Sequence, residues 1–280
     1  MILLLAVVAT AFLAYEIARK RYEKTAYFKQ TRNSYWRVRR DKGLLGEFYT
    51  YRCLRQLPGS KRFLFNCYLP KQDGGKTEID VIFLHESGIY VFESKNYSGW
   101  IFGAETNSYW TQTLPAGRGR AKKVSFFNPI VQNKVHLKWL KAFLQEDFVP
   151  FLSYIVFSDR CTLKDIRLTS REHRVVNRYD VLSDIAQTAR GLGSQLKPQK
   201  IDELYDRLAP LAQAGDSEKR SHIENIHKKH HSPASPSAKK VCPRCGGKLV
   251  LRTAARGAHA GEQFWGCSHF PRCRYTQNAD

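Results

Sequence analysis

Two short apolar runs, Val81-Ile82-Phe83-Leu84 and Ile89-Tyr90-Val91-Phe92, constrain this chain more than any other feature. In each, β-branched and aromatic residues occupy both odd and even positions, as in strands covered on both faces. Only His85-Glu86-Ser87-Gly88 separates them, so they read as an antiparallel pair inside a sheet layered by helices. If Leu84 faces Ile89, Asp80 falls opposite Glu93, with Cβ atoms about 4.5–5.5 Å apart. Lys95, two residues further on, points to the same face as Glu93.

Two carboxylates this close repel, and one pKa rises unless a cation lies between them; hard oxygen donors of this kind suit Mg²⁺ or Mn²⁺. A metal held by Asp80 and Glu93 could lower the pKa of a bound water and neutralise a phosphodiester oxygen, with Lys95 orienting the water or stabilising the developing charge. A surface ion-pair network of the same three residues is the alternative that spacing alone leaves open.

Helical periodicity is expected over residues 43–57, ending at Pro58-Gly59, and again over 128–144, 181–189 and 201–211. Strands are expected over 63–69, 78–84, 89–94 and 154–157, with a short one at Val175-Val176. The leading order is α-β-β-β-α-β. Residues 214–240 are polar and His-, Ser- and Pro-rich, a composition that buries little apolar surface and behaves as a linker.

Lys and Arg number 46 against 25 Asp and Glu, a net charge of +21, which favours a polyanionic partner, either nucleic acid or an anionic membrane face. Residues 1–18 are nearly free of charge and precede Arg19-Lys20-Arg21. They predict an uncleaved transmembrane anchor, with the following residues cytoplasmic by the positive-inside rule. A buried or signal-type segment is the alternative. Residues 19–42 carry ten Lys and Arg interleaved with Tyr22, Tyr27, Phe28, Tyr35 and Trp36. They read as a juxtamembrane stretch on lipid headgroups, with base stacking on a single strand as the rival.

Four ordered motifs then carry a resemblance. Gly43-Leu44-Leu45-Gly46-Glu47, Thr77-Glu78-Ile79-Asp80, the run from Val91 through Glu93-Ser94-Lys95 to Gly99, and Asn128-Pro129-Ile130-Val131-Gln132-Asn133 together resemble the NERD, or nuclease-related, domain. The resemblance implies a restriction-endonuclease-like PD-(D/E)-x-K core. By position it makes Asp80 and Glu93 metal ligands, Lys95 the catalytic lysine, Glu47 an accessory carboxylate and Gln132 a polar site residue. Ile79 stands where that motif has proline.

The C-terminal region holds two cysteine pairs, Cys242/Cys245 and Cys267/Cys273, enough for a small β-ribbon to gather four thiolates around tetrahedral Zn²⁺. With Cys-Pro-Arg-Cys-Gly-Gly at 242–247 and Phe264-Trp265-Gly266-Cys267 leading to Phe270-Pro271-Arg272-Cys273-Arg274-Tyr275, it resembles the zinc finger of type IA DNA topoisomerases. The resemblance implies four-cysteine coordination, with His259 and His269 as lesser ligand candidates. Arg252, Arg272 and Arg274, with Phe264, Trp265 and Tyr275, are the expected nucleic-acid contacts, single-stranded DNA being the expected ligand.

The expected protein is thus α/β: a restriction-endonuclease-like core with a mixed central sheet flanked by helices, an N-terminal transmembrane helix and a small zinc-binding β-ribbon. Its expected domains are an anchor (1–18), a basic segment (19–42), the nuclease-like domain (43–213, family motifs in 43–144), a linker (214–240) and the zinc finger (241–280). The expected function is metal-dependent hydrolysis of DNA at a bacterial-type inner membrane, crossed once, with the folded part in the cytoplasm. The rival is a non-catalytic protein tethering DNA to that membrane.

Overall fold

The computed structural model describes residues 2–72, 74–117, 119–212, 242–253 and 263–278, and the chain divides into two units, Met1–Ser217 and Glu218–Asp280. The expected linker, residues 214–240, lies outside the described residues.

In the first unit, the two apolar runs form neighbouring strands, β2 (Lys76–His85) and β3 (Gly88–Lys95), of a five-stranded sheet. β1 (Lys61–Pro70) pairs antiparallel with β2 on its outer side. β7 (Phe151–Phe157) and β9 (His173–Asn177) continue the sheet in parallel beyond β3. The order is β1-β2-β3-β7-β9.

Both faces are covered. On one, Phe63, Phe65, Val81, Phe83, Tyr90, Phe92 and Tyr154 pack with Phe48, Tyr51 and Leu54 of α4 (Lys42–Leu54) and with Val181 and Ile185 of α6 (Arg178–Leu192). On the other, Leu64, Ile82, Leu84, Ile89 and Val91 meet Leu140 and Leu144 of α5 (Pro129–Leu144) and Ile201, Leu204 and Leu208 of α7 (Pro198–Ala212). Odd and even residues of β3 therefore feed different helical layers, which accounts for the unbroken apolar runs.

Between β3 and α5 the chain builds a second sheet from β4 (Gly99–Ala104), β5 (Tyr109–Pro115) and β6 (Ala121–Phe127), joined by β8 (Cys161–Arg167) in the order β6-β5-β4-β8. Its inner face buries Ile101 and Trp110 against Ile130, Ile155 and Phe157.

The expectation of a membrane-spanning anchor over residues 1–18, and with it of a single-pass inner-membrane protein, is overturned: among the described residues no helix is long and apolar enough to cross a membrane. The segment is helical, as α1 (Ile2–Glu23). Its uncharged run ends at Tyr15, about 20 Å from Ile2 at 1.5 Å per residue, against a hydrocarbon core of about 30 Å. The following turns carry Glu16, Arg19 and Glu23, with Arg19 bridging both acids at 2.6 and 2.7 Å. The end of α1 packs onto protein, not lipid: Tyr22 is buried and donates to the Asn33 carbonyl at 2.6 Å. The basic segment that follows folds as α2 (Ala26–Thr31) and α3 (Tyr35–Arg40), burying Tyr27 and Val38 in the first helical layer. The expected lipid partner therefore has no spanning helix to rest on.

The second unit is a three-stranded antiparallel sheet of β10 (Leu249–Thr253), β11 (Gln263–Cys267) and β12 (Thr276–Asn278), around the side chains of Cys242, Leu249, Cys267 and Cys273.

Candidate functional site

The β2–β3 ladder runs from His85–Gly88 through Leu84–Ile89 to Val81–Phe92. Asp80 and Glu93 lie one step beyond its last rung, where the strands part. The cause is a kink in β1 and β2. Their register passes from Phe65–Val81 to Cys67–Ile79, omitting Asn66 and Asp80, and Asn66 sits in the left-handed region at φ 50°, which Asn tolerates better than most residues. Facing inverts across this point: Leu64 and Ile82 serve the α5 layer before it, whereas the odd-numbered Cys67, Leu69 and Ile79 serve that layer after it. In the resulting gap the Ser94 amide donates to Asp80 Oδ2 at 3.0 Å, so a side-chain carboxylate takes the place of a strand carbonyl.

Glu93 is buried on the α5 side of β3. Lys95 Nζ donates to Glu93 Oε1 at 2.6 Å and to Gln132 Oε1 at 3.2 Å. His136 Nε2 lies 3.2 Å from Glu93 Oε2, with its Nδ1 2.8 Å from Thr77 Oγ1. Gln132 and His136 share one face of α5, four residues apart. Asn128 caps that helix by accepting from the Ile130 amide at 2.9 Å. The buried Asn133 anchors it to the sheet by donating to the Val91 carbonyl and Ser153 Oγ at 3.1 and 2.8 Å.

Glu47 reaches the site from the opposite layer. Asp41 caps α4 on the Gly43 and Leu44 amides. At Gly46 an added Cβ would stand 3.0 Å from Asn96 Cβ, so glycine lets the helix approach the end of β3. Glu47 Oε2 accepts from Tyr27 Oη at 3.2 Å and Asn66 Nδ2 at 3.3 Å, and Tyr68 Oη donates to nearby Glu78 at 2.7 Å. The structure thus gathers Glu93, Lys95 and Gln132 by direct contact, sets Asp80 in the adjoining gap and brings Glu47 in from behind. Asn66, Thr77, Glu78 and His136 also belong to this cluster and are additions to the sequence reading. The i+4 spacing from Gln132 was the available signal for His136; nothing marked Asn66 beyond a lone amide in an apolar strand.

Negative charge is in excess here. Burial and then repulsion from Glu93 and Glu47 hold the Asp80 carboxyl well above its ordinary range, against the pull of Lys95 and the Ser94 amide. Burial, with Glu78 adding to it, raises Glu47 to about 7. Burial also works against ionised Glu93, but Lys95 and His136 outweigh it and its pKa is lowered. Burial disfavours the Lys95 ammonium, yet Glu93 and Asp80 raise its pKa overall. A buried acidic pair of this kind fits a Mg²⁺ ion, which takes one or two carboxylates and keeps most of its waters.

Among the described residues, the group that gathers three or more metal-ligand atoms within 4.8 Å is Cys242, Cys245, Cys267 and Cys273. Cys242 and Cys273 sulfurs lie 3.7 Å apart, and those of Cys245 and Cys267 3.4 Å. Four thiolates at about 2.3 Å from Zn²⁺ would stand about 3.8 Å from one another, so the donor set and spacing fit that ion. The first knuckle closes through the Gly246 amide on the Cys242 carbonyl at 2.9 Å, with Gly246 at φ 69°. Of the expected nucleic-acid contacts, Arg252, Arg272 and Arg274 are exposed and Phe264 is half-buried. Trp265 and Tyr275 pack against the cysteine cluster and so also serve as structure. Arg252 lies 5.7 Å from the ring centroid of the exposed Phe270. His259 lies outside the described residues.

Comparison with known proteins matches residues 42–158 to the nuclease-related domain and residues 239–280 to the topoisomerase DNA-binding C4 zinc finger. An uncharacterized protein of Bacillus anthracis is 32% identical over 189 residues, covering 67% of this chain and 85% of that protein. DNA topoisomerase 1 of Methanocaldococcus jannaschii is 45% identical over 38 residues, 14% of this chain and 4% of the topoisomerase. DNA topoisomerase 1 of Archaeoglobus fulgidus is 28% identical over 115 residues, 41% and 15% respectively. The chain thus spans only a small part of either topoisomerase. No solved structure matches. On the site geometry, the cysteine cluster and these matches, the chain belongs to the nuclease-related (NERD) domain family and carries a topoisomerase-type C4 zinc finger.

Proposed function

We propose that the nuclease-related domain is a metal-dependent phosphodiesterase with a restriction-endonuclease-like core that cuts DNA, and that the zinc finger holds the substrate as a single strand. The observation that carries this reading is the Glu93–Lys95–Gln132 contact beside the Asp80 carboxylate, in a gap between strands where uncompensated negative charge is buried. Asp80 and Glu93 would hold Mg²⁺ or Mn²⁺, which supplies an acidified water and charge neutralisation at the phosphate. Lys95, fixed by Glu93 and Gln132, presents its ammonium to the developing charge or orients the attacking water. His136, braced by Thr77, keeps Glu93 ionised and aimed. Glu47 is a proton acceptor with a pKa near working pH. Arg252, Arg272 and Arg274 would meet phosphates, and Phe264 and Phe270 would stack on bases.

The test is nicking of DNA by the purified chain with Mg²⁺, Mn²⁺ or EDTA, alongside Asp80→Ala and Lys95→Ala. Activity that needs the metal and is lost in both variants is expected. Undiminished nicking by both variants would reject the assignment, and DNA binding without metal-dependent cleavage would leave a non-catalytic DNA-binding protein.

A further inference from the structure

We propose that the outer face of the β6-β5-β4-β8 sheet binds a single strand of nucleic acid by stacking its bases on Trp100, Phe102, Tyr109 and Phe127. The inner face is settled by Ile101 and Trp110, both buried, and by Gly103, where a Cβ would come within 2.2 Å of the Trp110 ring. Strand alternation then turns Trp100 and Phe102 of β4 outward, with Tyr109 of β5 and Phe127 of β6. Trp100 is 52% exposed and Tyr109 57%, although each is large enough to anchor a core.

The register places these rings on a diagonal. Trp100 pairs with Thr113, Phe102 with Thr111, and Tyr109 with Phe127. Successive aromatic positions on β4 and β5 are therefore separated by about 7–8 Å, from residue rise and strand spacing, room for each ring to receive its own base. The Tyr109 and Phe127 rings meet edge-on at 5.9 Å. Around them the face carries hydroxyls (Thr111, Thr162, Ser125) and two exposed lysines, Lys123 and Lys164, the latter with its ammonium 5.7 Å from the Trp100 ring. Neighbouring Asp165 is paired to Arg167 at 2.8 Å.

Aromatic plates beside ammonium groups are what base stacking and phosphate pairing require. A protein partner is less well matched, because lysine is depleted from such interfaces. A duplex keeps its base faces stacked and cannot present them. The sheet also adjoins the metal-site residues along the chain. Trp100 follows Lys95 by five residues and Phe127 precedes Gln132 by five, so each Cα lies within about 18 Å of a site residue.

The test uses the full chain with its zinc retained and with Mg²⁺ and Mn²⁺ left out, so cleavage is not measured and its outcome is independent of the nuclease reading. A deoxythymidine oligonucleotide bearing 5-iodouracil is cross-linked and the adducts are mapped. Adducts on Trp100, Tyr109 or Phe127 are expected. In a chain whose finger carries Arg252→Ala and Phe264→Ala, adding Trp100→Ala or Tyr109→Ala should weaken binding by about 5- to 100-fold each, with Trp100→Phe recovering most of the loss. Adducts confined to residues 242–278, or unchanged affinity, would overturn the proposal. So would a loss of self-association in sedimentation with oligonucleotide binding intact, which would assign the face to a second copy of the chain.

Discussion

Replacing Glu47 by Gln should make the protein more stable at pH 8 and leave it nearly unchanged at pH 4.5. Burial raises the Glu47 pKa from an ordinary 4.5 to about 7, so the folded state holds this proton more tightly than the unfolded chain. Its contribution is complete below about pH 4.5 and is lost as pH rises towards 7, at about 1.4 kcal/mol per pH unit. The accumulated loss approaches about 3 kcal/mol as an upper bound. Gln carries no charge, and its carbonyl can still accept from Tyr27 Oη and Asn66 Nδ2, the two donors Glu47 has now. The variant should therefore gain up to about 3 kcal/mol at pH 8, or about 6–12 °C in Tm for a unit of this size. Urea denaturation followed by tryptophan fluorescence, in EDTA at pH 5 and pH 8, measures the gap directly. Parallel stability curves for the two proteins across that range would refute the argument that this carboxylate is held against its own repulsion. Saturating Mg²⁺ should narrow the gap, since a cation among the carboxylates favours their ionised forms.

His136→Ala removes the imidazole that orients Glu93, and should raise the Mg²⁺ concentration needed for half-maximal nicking by about 10- to 100-fold; an unchanged requirement would separate His136 from the metal site. Gly103→Ala drives a methyl into the Trp110 ring and should cost about 1–3 kcal/mol in urea denaturation; no loss would place Trp110 elsewhere. Purified chain should contain about one Zn²⁺ in metal analysis, and Cys242→Ser should release it. A metal-free preparation with an unaltered circular-dichroism spectrum and unaltered thermal unfolding of the finger would count against that site.

The β2–β3 register was legible because both parities of each run are apolar, which leaves one sensible place for the hairpin. Its turn is tighter than the sequence suggested: pairing continues to His85–Gly88, leaving only Glu86 and Ser87 in the loop. The second sheet was not legible, since aromatics occupy both of its faces, Trp110 inside and Trp100 and Tyr109 outside, which erases the polar–apolar alternation of a half-exposed strand. Charge concealed the folding of residues 19–42, where Tyr22, Tyr27 and Val38 are core residues scattered among ten cations. The N-terminal run misled for the reverse reason, because counting apolar residues ignores the ion pairs within the last turns of α1 and the ring contacts that tie those turns to the domain. In the acidic cluster, residue types and spacing pointed to Asp80, Glu93 and Lys95, and the family resemblance to Gln132, but the departure of Asn66 from ordinary strand geometry is a property of the fold that no spacing rule contains.

That departure also restricts how the hairpin can change. Because β1 and β2 exchange inside for outside at the same level, residues of one parity above and below it are committed to opposite helical layers. Sliding β2 by one position would bring Glu78 towards the apolar packing of α5 and strip Asp80 from the Ser94 amide at once. Insertions are therefore tolerable in the tip or the outer loops, whereas the crossover itself is pinned by hydrophobic packing on both sides, and the acidic site is fixed in place by residues that take no part in its chemistry.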